Sequence, residues 1–197
     1  MNILILGSKG LLGSYLSEYL KKHFVIYRSS KKSGKYKVNL FDKGKLKSLF
    51  LKISPDVIIN CTGATDTQKC IQNKEYARKG NCLTVKNIIS TLNESKIKSH
   101  LIHISTDQVY SGKNKEKNLE HKINTTNNYS KSKYAGELEA KKYRKTTIVR
   151  TNFFGPCPGA KKKSFSEFVL NQTIAGKTVR LPKNIIFNPI SLGVLSK

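Results

Sequence analysis

Asn2-Ile3-Leu4-Ile5-Leu6-Gly7-Ser8-Lys9-Gly10-Leu11-Leu12-Gly13 is the stretch on which the fold turns. Residues 2–6 form a short apolar run of the kind that fills a buried strand. Residues 11–22 then place Leu12, Tyr15, Leu16, Tyr19 and Leu20 at helical spacing. Between them the glycines stand as G-x-x-G-x-x-G. Glycine suits that turn because the backbone must bend sharply and come close to a pyrophosphate. The amino end of the helix that follows presents unpaired N–H groups and a positive dipole end to an anion. A strand, a glycine turn and a helix in that order predict a nucleotide-binding first βα unit.

The alternation continues outward from this unit. Residues 24–27 and 36–40 read as strands two and three, and residues 43–53 as a helix ended by Pro55. Residues 56–60 form a fourth strand, 75–92 a long helix and 101–105 a fifth strand. Residues 130–145 are helical, 146–150 a sixth strand, 164–174 a further helix, and a weak strand lies near Val179. Such β-α-β-α repetition implies an α/β fold. Its core is a doubly wound parallel sheet with helices on both faces. The lysine-rich residues 29–37 and 111–122 read as solvated loops.

Composition narrows the class. With 197 residues, 38% of them hydrophobic, the chain can bury one sizeable core. No apolar run approaches the roughly 20 residues of a membrane helix, and the first residues carry no basic leader. The expectation is a cytoplasmic protein without a membrane partner. Cys61, Cys70, Cys82 and Cys157 show no paired spacing, which reads as reduced thiols and no metal site. The net charge of +25 invites nucleic acid as a partner. Against this, 32 of the 37 basic residues are lysines and they spread along the whole chain. Base readers favour arginine and gather charge on one face.

Two further stretches carry chemistry. After strand two comes Tyr27-Arg28-Ser29-Ser30-Lys31-Lys32, without the acid that an NAD site offers the ribose 2′-hydroxyl. Arg28 could hold a 2′-phosphate instead, which points to NADP. Tyr-x-x-x-Lys alone means nothing here, since nine tyrosines and 32 lysines supply roughly 1.5 such pairs by chance. Of the two present, Tyr27–Lys31 ends a strand, while Tyr129–Lys133 begins the helix after strand five. Residues i and i+4 share a helix face, and an ammonium beside a phenol lowers the phenol's pKa. Tyr129 is therefore the candidate proton donor, with Lys133 beside it. Thr106 follows strand five, at the carboxyl edge where ligands bind, and could orient a substrate carbonyl.

Taken together these residues resemble the extended short-chain dehydrogenase/reductase family, and within it the dTDP-4-dehydrorhamnose reductase branch. The resemblance runs through Gly7, Gly10 and Gly13, through Pro55-Asp56-Val57-Ile58-Ile59-Asn60-Cys61-Thr62-Gly63, and through Asn81. It continues in His103-Ile104-Ser105-Thr106-Asp107-Gln108-Val109-Tyr110-Ser111-Gly112, in Tyr129-Ser130-Lys131-Ser132-Lys133-Tyr134-Ala135-Gly136-Glu137, and in Val149-Arg150-Thr151 and Phe154-Gly155-Pro156. It implies a Rossmann-type domain over residues 1–155 and the start of a substrate lobe over residues 156–197, that lobe being incomplete. It also implies NADPH as cofactor, held by Gly7, Ser8, Gly10, Leu11, Leu12, Gly13, Arg28, Leu40, Thr62, Gly63, Thr65, Tyr129 and Lys133. Thr106, Tyr129 and Lys133 would form the catalytic set. The implied reaction is reduction of a nucleotide-linked 4-keto-6-deoxy sugar, the protein supplying orientation and a proton. A homodimer is carried as an expectation, on which the residues themselves are silent. Gln108 departs from an aromatic residue common in the branch, and Asn39 stands where the family often has aspartate. The chain is about a third shorter than a two-lobed member. Two other readings stay open: a non-catalytic dinucleotide-binding regulatory subunit, and an epimerase or dehydratase of sugar nucleotides.

Overall fold

Six parallel strands in the order β3-β2-β1-β4-β5-β6 form the central sheet of the computed structural model, which describes residues 1–110, 121–156, 164–180 and 189–197. The strands are β1 (Asn2–Leu6), β2 (Val25–Ser30), β3 (Tyr36–Lys37), β4 (Val57–Asn60), β5 (His100–Ser105) and β6 (Thr146–Arg150). Helix α1 (Leu11–Leu20) follows β1 and α2 (Lys43–Ile53) follows β3. After β4 come α3 (Thr67–Gln72), α4 (Lys74–Arg78), a π-helical turn (Lys79–Leu83) and α5 (Thr84–Ser95). Helix α6 (Asn128–Ala140) precedes β6. Beyond it lie β7 (Phe153–Phe154), α7 (Phe165–Ile174), β8 (Ile190–Ser191) and α8 (Leu192–Leu195), with β7 and β8 paired in parallel.

Two apolar layers hold the sheet. Leu46 and Phe50 of α2, Val85, Ile88 and Leu92 of α5 and Ala140 of α6 pack on Leu4, Leu6, Ile58 and Leu101. On the opposite face, Leu12 and Leu16 of α1 and Leu192 of α8 pack on Ile3, Ile5 and Ile59. Alternate residues of the central strands feed the two layers, so these strands are apolar on both sides. The strand order reverses between β1 and β4, and a crevice opens there at the carboxyl ends of the strands.

Several elements differ from the sequence expectation. Residues 75–92 are not one α-helix, because the π-helical turn interrupts them. Helix α3, capped by the Asp66 side chain on the Lys69 amide (3.1 Å), was not expected. Six residues are too few to display a periodic pattern. Val179 lies in no strand. The small sheet forms instead from β7 and β8, two-residue strands far apart in sequence. Helix α7 has a Ser164–Glu167 capping box but buries none of its residues, leaving Phe165, Phe168, Leu170 and Ile174 exposed. Ser111, Gly112, Cys157 and most of residues 111–122 lie outside the described residues. Among the described residues Cys61, Cys70 and Cys82 are free thiols, and no helix is long and apolar enough to cross a membrane.

Phe50 is fully buried between α2 and the sheet. Phe50→Ala is expected to cost about 3–5 kcal/mol and to lower Tm by on the order of 10 °C, read by thermal denaturation.

Candidate active site

The glycine turn is built by close packing. Gly7 has φ +84°, a conformation that L side chains rarely adopt. Its amide and that of Ser8 each donate to the Ser29 carbonyl at 3.0 Å, and the Ser8 hydroxyl does the same. A Cβ at Gly13 would lie 2.4 Å from the Gly7 carbonyl oxygen, so any larger residue there would push α1 off the turn. Gly10 is the N-cap of α1, and no side chain caps that end. The first-turn amides of Leu11, Leu12 and Gly13 have no intrahelical acceptor and face the crevice end of the helix. Across the crevice is the loop after β4: a Cβ on Gly7 would meet Thr62 Cγ2 at 3.0 Å. Gly63 and Thr65 of that loop are exposed.

Asn60, Asn81 and His103 hold this loop from below. Asn60 Oδ1 accepts from the Thr62 amide at 3.1 Å and from the Thr62 hydroxyl at 2.5 Å, which turns the Asn60 amide group toward His103 Nδ1 at 3.1 Å. His103 thus carries its proton on Nε2. Burial, with the Lys133 charge added, drops its pKa to about 3 and keeps it neutral. Asn81, in the π-helical turn, accepts from the Ala64 amide (2.8 Å) and donates to the Ala64 carbonyl (3.2 Å) and to Ser132 Oγ (3.0 Å). It fastens the β4 loop to α6.

Helix α6 begins with an Asn127–Ser130 capping box and buries Tyr129, Lys133 and Glu137, each four residues from the next. The Tyr129 hydroxyl meets that of Thr106, which also accepts from the Gln108 amide at 3.2 Å. Lys133 Nζ donates to the Ile104 carbonyl at 2.7 Å. The sequence expectation had the ammonium lowering the phenol's pKa. Instead, burial pushes Tyr129 above its ordinary 10, the Thr106 hydrogen bond opposes this, and Cys70 and Asp107 add to the rise. Lys133 reaches back toward β5, and Tyr129 is a neutral phenol at pH 7. Lys133 itself falls to about 8 because burial withholds water from the ammonium, an effect that Glu137 partly offsets. Cys61, also in reach of Lys133, is pushed up to about 12 by burial.

The remaining expected residues lie apart from this cluster. Arg28 pairs with Glu18 (2.8 Å) and donates to the Ser17 carbonyl (3.2 Å), its side chain 45% exposed. Leu40 is buried in the core beside α2, and its carbonyl accepts from Asn87 at 3.0 Å. Sequence reasoning gave no role to the carboxylate of Glu137, the guanidinium of Arg150 or the hydroxyl of Ser105. Glu137 accepts from Ser105 (2.5 Å) and from Arg150 Nη2 (2.6 Å), and it is fully buried. Its signal was available: an acid placed four residues after Lys133 lies on the same buried helix face.

A glycine turn at the switch point and a Thr-Tyr-Lys cluster across it define an extended short-chain dehydrogenase/reductase. Within that class the chain belongs to the RmlD substrate binding domain family, whose model matches residues 1–195. The dTDP-4-dehydrorhamnose reductase of Escherichia coli (strain K12) is 29% identical over 155 residues, covering 78% of this chain and 51% of that protein. A hypothetical dTDP-4-dehydrorhamnose reductase from Sulfolobus tokodaii superposes with TM-score 0.85 at 34% identity, over 100% of this chain and 70% of that one. The Bacillus anthracis dTDP-4-dehydrorhamnose reductase, in complex with NADP, gives TM-score 0.87 at 24% identity over 99% and 67%. The chain spans about half the length of the curated relatives it matches.

Lys133 generates a test of these electrostatics. Below pH 8 it is charged in the folded and unfolded states, so folding carries the full cost of burying the ammonium. Between about 8 and 10.5 only the unfolded chain holds the proton, and stability rises with pH. Lys133→Met should therefore raise stability at pH 7 by roughly 3 kcal/mol, several degrees in Tm. Melting curves at pH 7 and at pH 10 should show the gain shrinking with pH, and a constant gain would contradict this account.

Proposed function

We propose that the chain reduces the keto group of a nucleotide-linked 4-keto-6-deoxy sugar with NADPH. The observation that carries this reading is the hydrogen bond between the Thr106 and Tyr129 hydroxyls, with Lys133 buried one helical turn after Tyr129, together with the close-packed glycine turn at the start of α1. The same turn, with the uncapped end of α1, fits a pyrophosphate, for which Gly7, Ser8, Gly10, Leu11, Leu12 and Gly13 supply close backbone. Thr62, Gly63 and Thr65 would line the opposite wall, and Leu40 would border the adenine end. Arg28 would exchange Glu18 for a 2′-phosphate. Breaking an exposed pair of that kind costs less than about 1 kcal/mol. Exposed Lys9, Lys31 and Lys32 add positive charge nearby. Residues 1–155 would form the dinucleotide domain and residues 156–197 the start of the substrate lobe, with residues 190–195 docking back on the sheet through Leu192. Cytoplasmic location and assembly as a homodimer belong to the same reading, the latter supported by the apolar side chains that α7 exposes.

When bound along the turn at Gly7, Gly10 and Gly13, NADPH would supply the hydride. Tyr129, held neutral by burial, gives its proton to the carbonyl oxygen, so the ketone gains hydride and proton and becomes an alcohol. Thr106 hydrogen-bonds that oxygen and fixes its direction. Lys133, cationic at pH 7, would donate to ribose hydroxyls of the cofactor, and the Thr106 hydroxyl, whose hydrogen bond lowers the Tyr129 pKa, would steady the phenolate left behind. The E. coli relative, a dTDP-4-dehydrorhamnose reductase by name, supports the substrate class.

Tyr129→Phe should lower kcat by about 100-fold or more while the Kd for NADPH stays within about threefold, measured by absorbance assay and fluorescence titration. Unchanged turnover would assign the proton to another group. NADPH should also raise Tm more than NADH at equal concentration, and equal shifts would remove the preference for the phosphorylated cofactor.

A further inference from the structure

We infer that Glu137 is a positioning residue, whose carboxylate sets the separation between the helix carrying Tyr129 and Lys133 and the strand end carrying Thr106. Ser105 and Arg150 are register partners at the last pair of the β5–β6 ladder, so their side chains share the face of the sheet on which α6 lies. Both reach Glu137. Ser105 Oγ donates to Oε1 at 2.5 Å, and Arg150 donates through Nε at 3.0 and 3.2 Å and through Nη2 at 2.6 Å. One carboxylate thus ties α6 to the ends of two strands in a geometry with two parallel donors.

The tie extends to the turn that presents Thr106. Thr106 is the N-cap of a single 3-10 turn, Asp107–Val109, and Tyr110 closes it. Arg150 hydrogen-bonds the Tyr110 hydroxyl and lies over its ring at 5.0 Å. The turn is therefore held at both ends by groups that Glu137 holds: Ser105 before it and, through Arg150, Tyr110 after it. Glu137 touches no reacting atom in this arrangement. Its work is to keep two hydroxyls, on different elements, within hydrogen-bond reach. A misplacement of about 1 Å in such a pair costs about 100-fold in rate.

The test uses the whole chain and rests, in its kinetic arm, on the reductase reading above. Glu137→Gln should lower kcat about tenfold or more with the KM for NADPH within about twofold. In a Thr106→Ala background the same change should cost little more, because the separation it disturbs no longer matters. Glu139→Gln, on the same helix and paired with Lys142 at the surface, should leave kcat unchanged. A spectroscopic arm needs neither substrate nor cofactor. With 13Cζ-labelled tyrosine, the Tyr129 resonance (assigned through Tyr129→Phe) should move in Glu137→Gln in the direction it moves in Thr106→Ala, and no farther in the double variant. Full kcat in Glu137→Gln, a loss additive with Thr106→Ala, or an unmoved Tyr129 resonance would each overturn the inference. If the wild type shows no reductase turnover, the functional reading falls and the resonance alone decides about Glu137. If Glu137→Gln does not fold, Ser105→Ala, which leaves the ion pair in place, should still shift the resonance and lower kcat about threefold. No effect there would count against the inference in the same way.

Discussion

The first turn of α1 rests directly on the carbonyl of Gly7, with room for nothing larger than a hydrogen at Gly13. This contact sets how far the amino end of the helix stands from the strand it follows. It thereby decides where the free amides point and how wide the crevice is between β1 and β4. The apolar side of α1 then falls on Ile3, Ile5 and Ile59, and the rest of the sheet is laid down in parallel on either side. The same packing brings the loop carrying Thr62 against Gly7, where a side chain would meet Thr62 Cγ2 at 3.0 Å.

A second constraint is electrostatic. Helix α6 brings a cation and an anion into a buried position, where an isolated charge would be expensive. Lys133 is tolerated because the Ile104 carbonyl accepts from it and Glu137 lies one turn away. Glu137 is tolerated because Arg150 and Ser105 satisfy both its oxygens. The resulting environment treats neighbouring groups differently: Tyr129 keeps its proton, His103 is denied one, and Lys133 sits close to the point of losing one. All three states follow chiefly from the removal of water, with the nearby charges adjusting the outcome.

Much of this was legible in the residues themselves. Runs 2–6, 43–53 and 146–150 carry patterns that neighbouring parts of the chain reinforce, and all three appear where read. The turn at Gly7 and the pair Tyr129–Lys133 could be picked out because chemistry restricts which residue types stand there. What escaped was of another kind. Helix α3 depends on a cap at Asp66 rather than on periodicity, and the β7–β8 pair depends on two segments far apart in sequence meeting in space. The direction in which the Tyr129 pKa moves could not be read from a spacing of four. It depends on where the Lys133 side chain finds its acceptor, and that acceptor is a backbone oxygen of another element. Arg28 likewise read as a free cation, because Glu18 becomes its neighbour only once α1 folds against β2.

The π-helical turn at Lys79–Leu83 has a consequence for how this chain tolerates insertion and deletion. It accommodates one residue more than an α-helical turn, so the helix after it is out of phase with the helix before it by about 100°. Ahead of the turn, Ala77 is directed at Tyr129 and Cys70; behind it, Val85, Ile88 and Leu92 are directed at the sheet. An uninterrupted α-helix could satisfy one of those directions but not both. Excising a single residue here would leave an unbroken rod whose two halves compete for orientation, with the loss falling on whichever surface yields first.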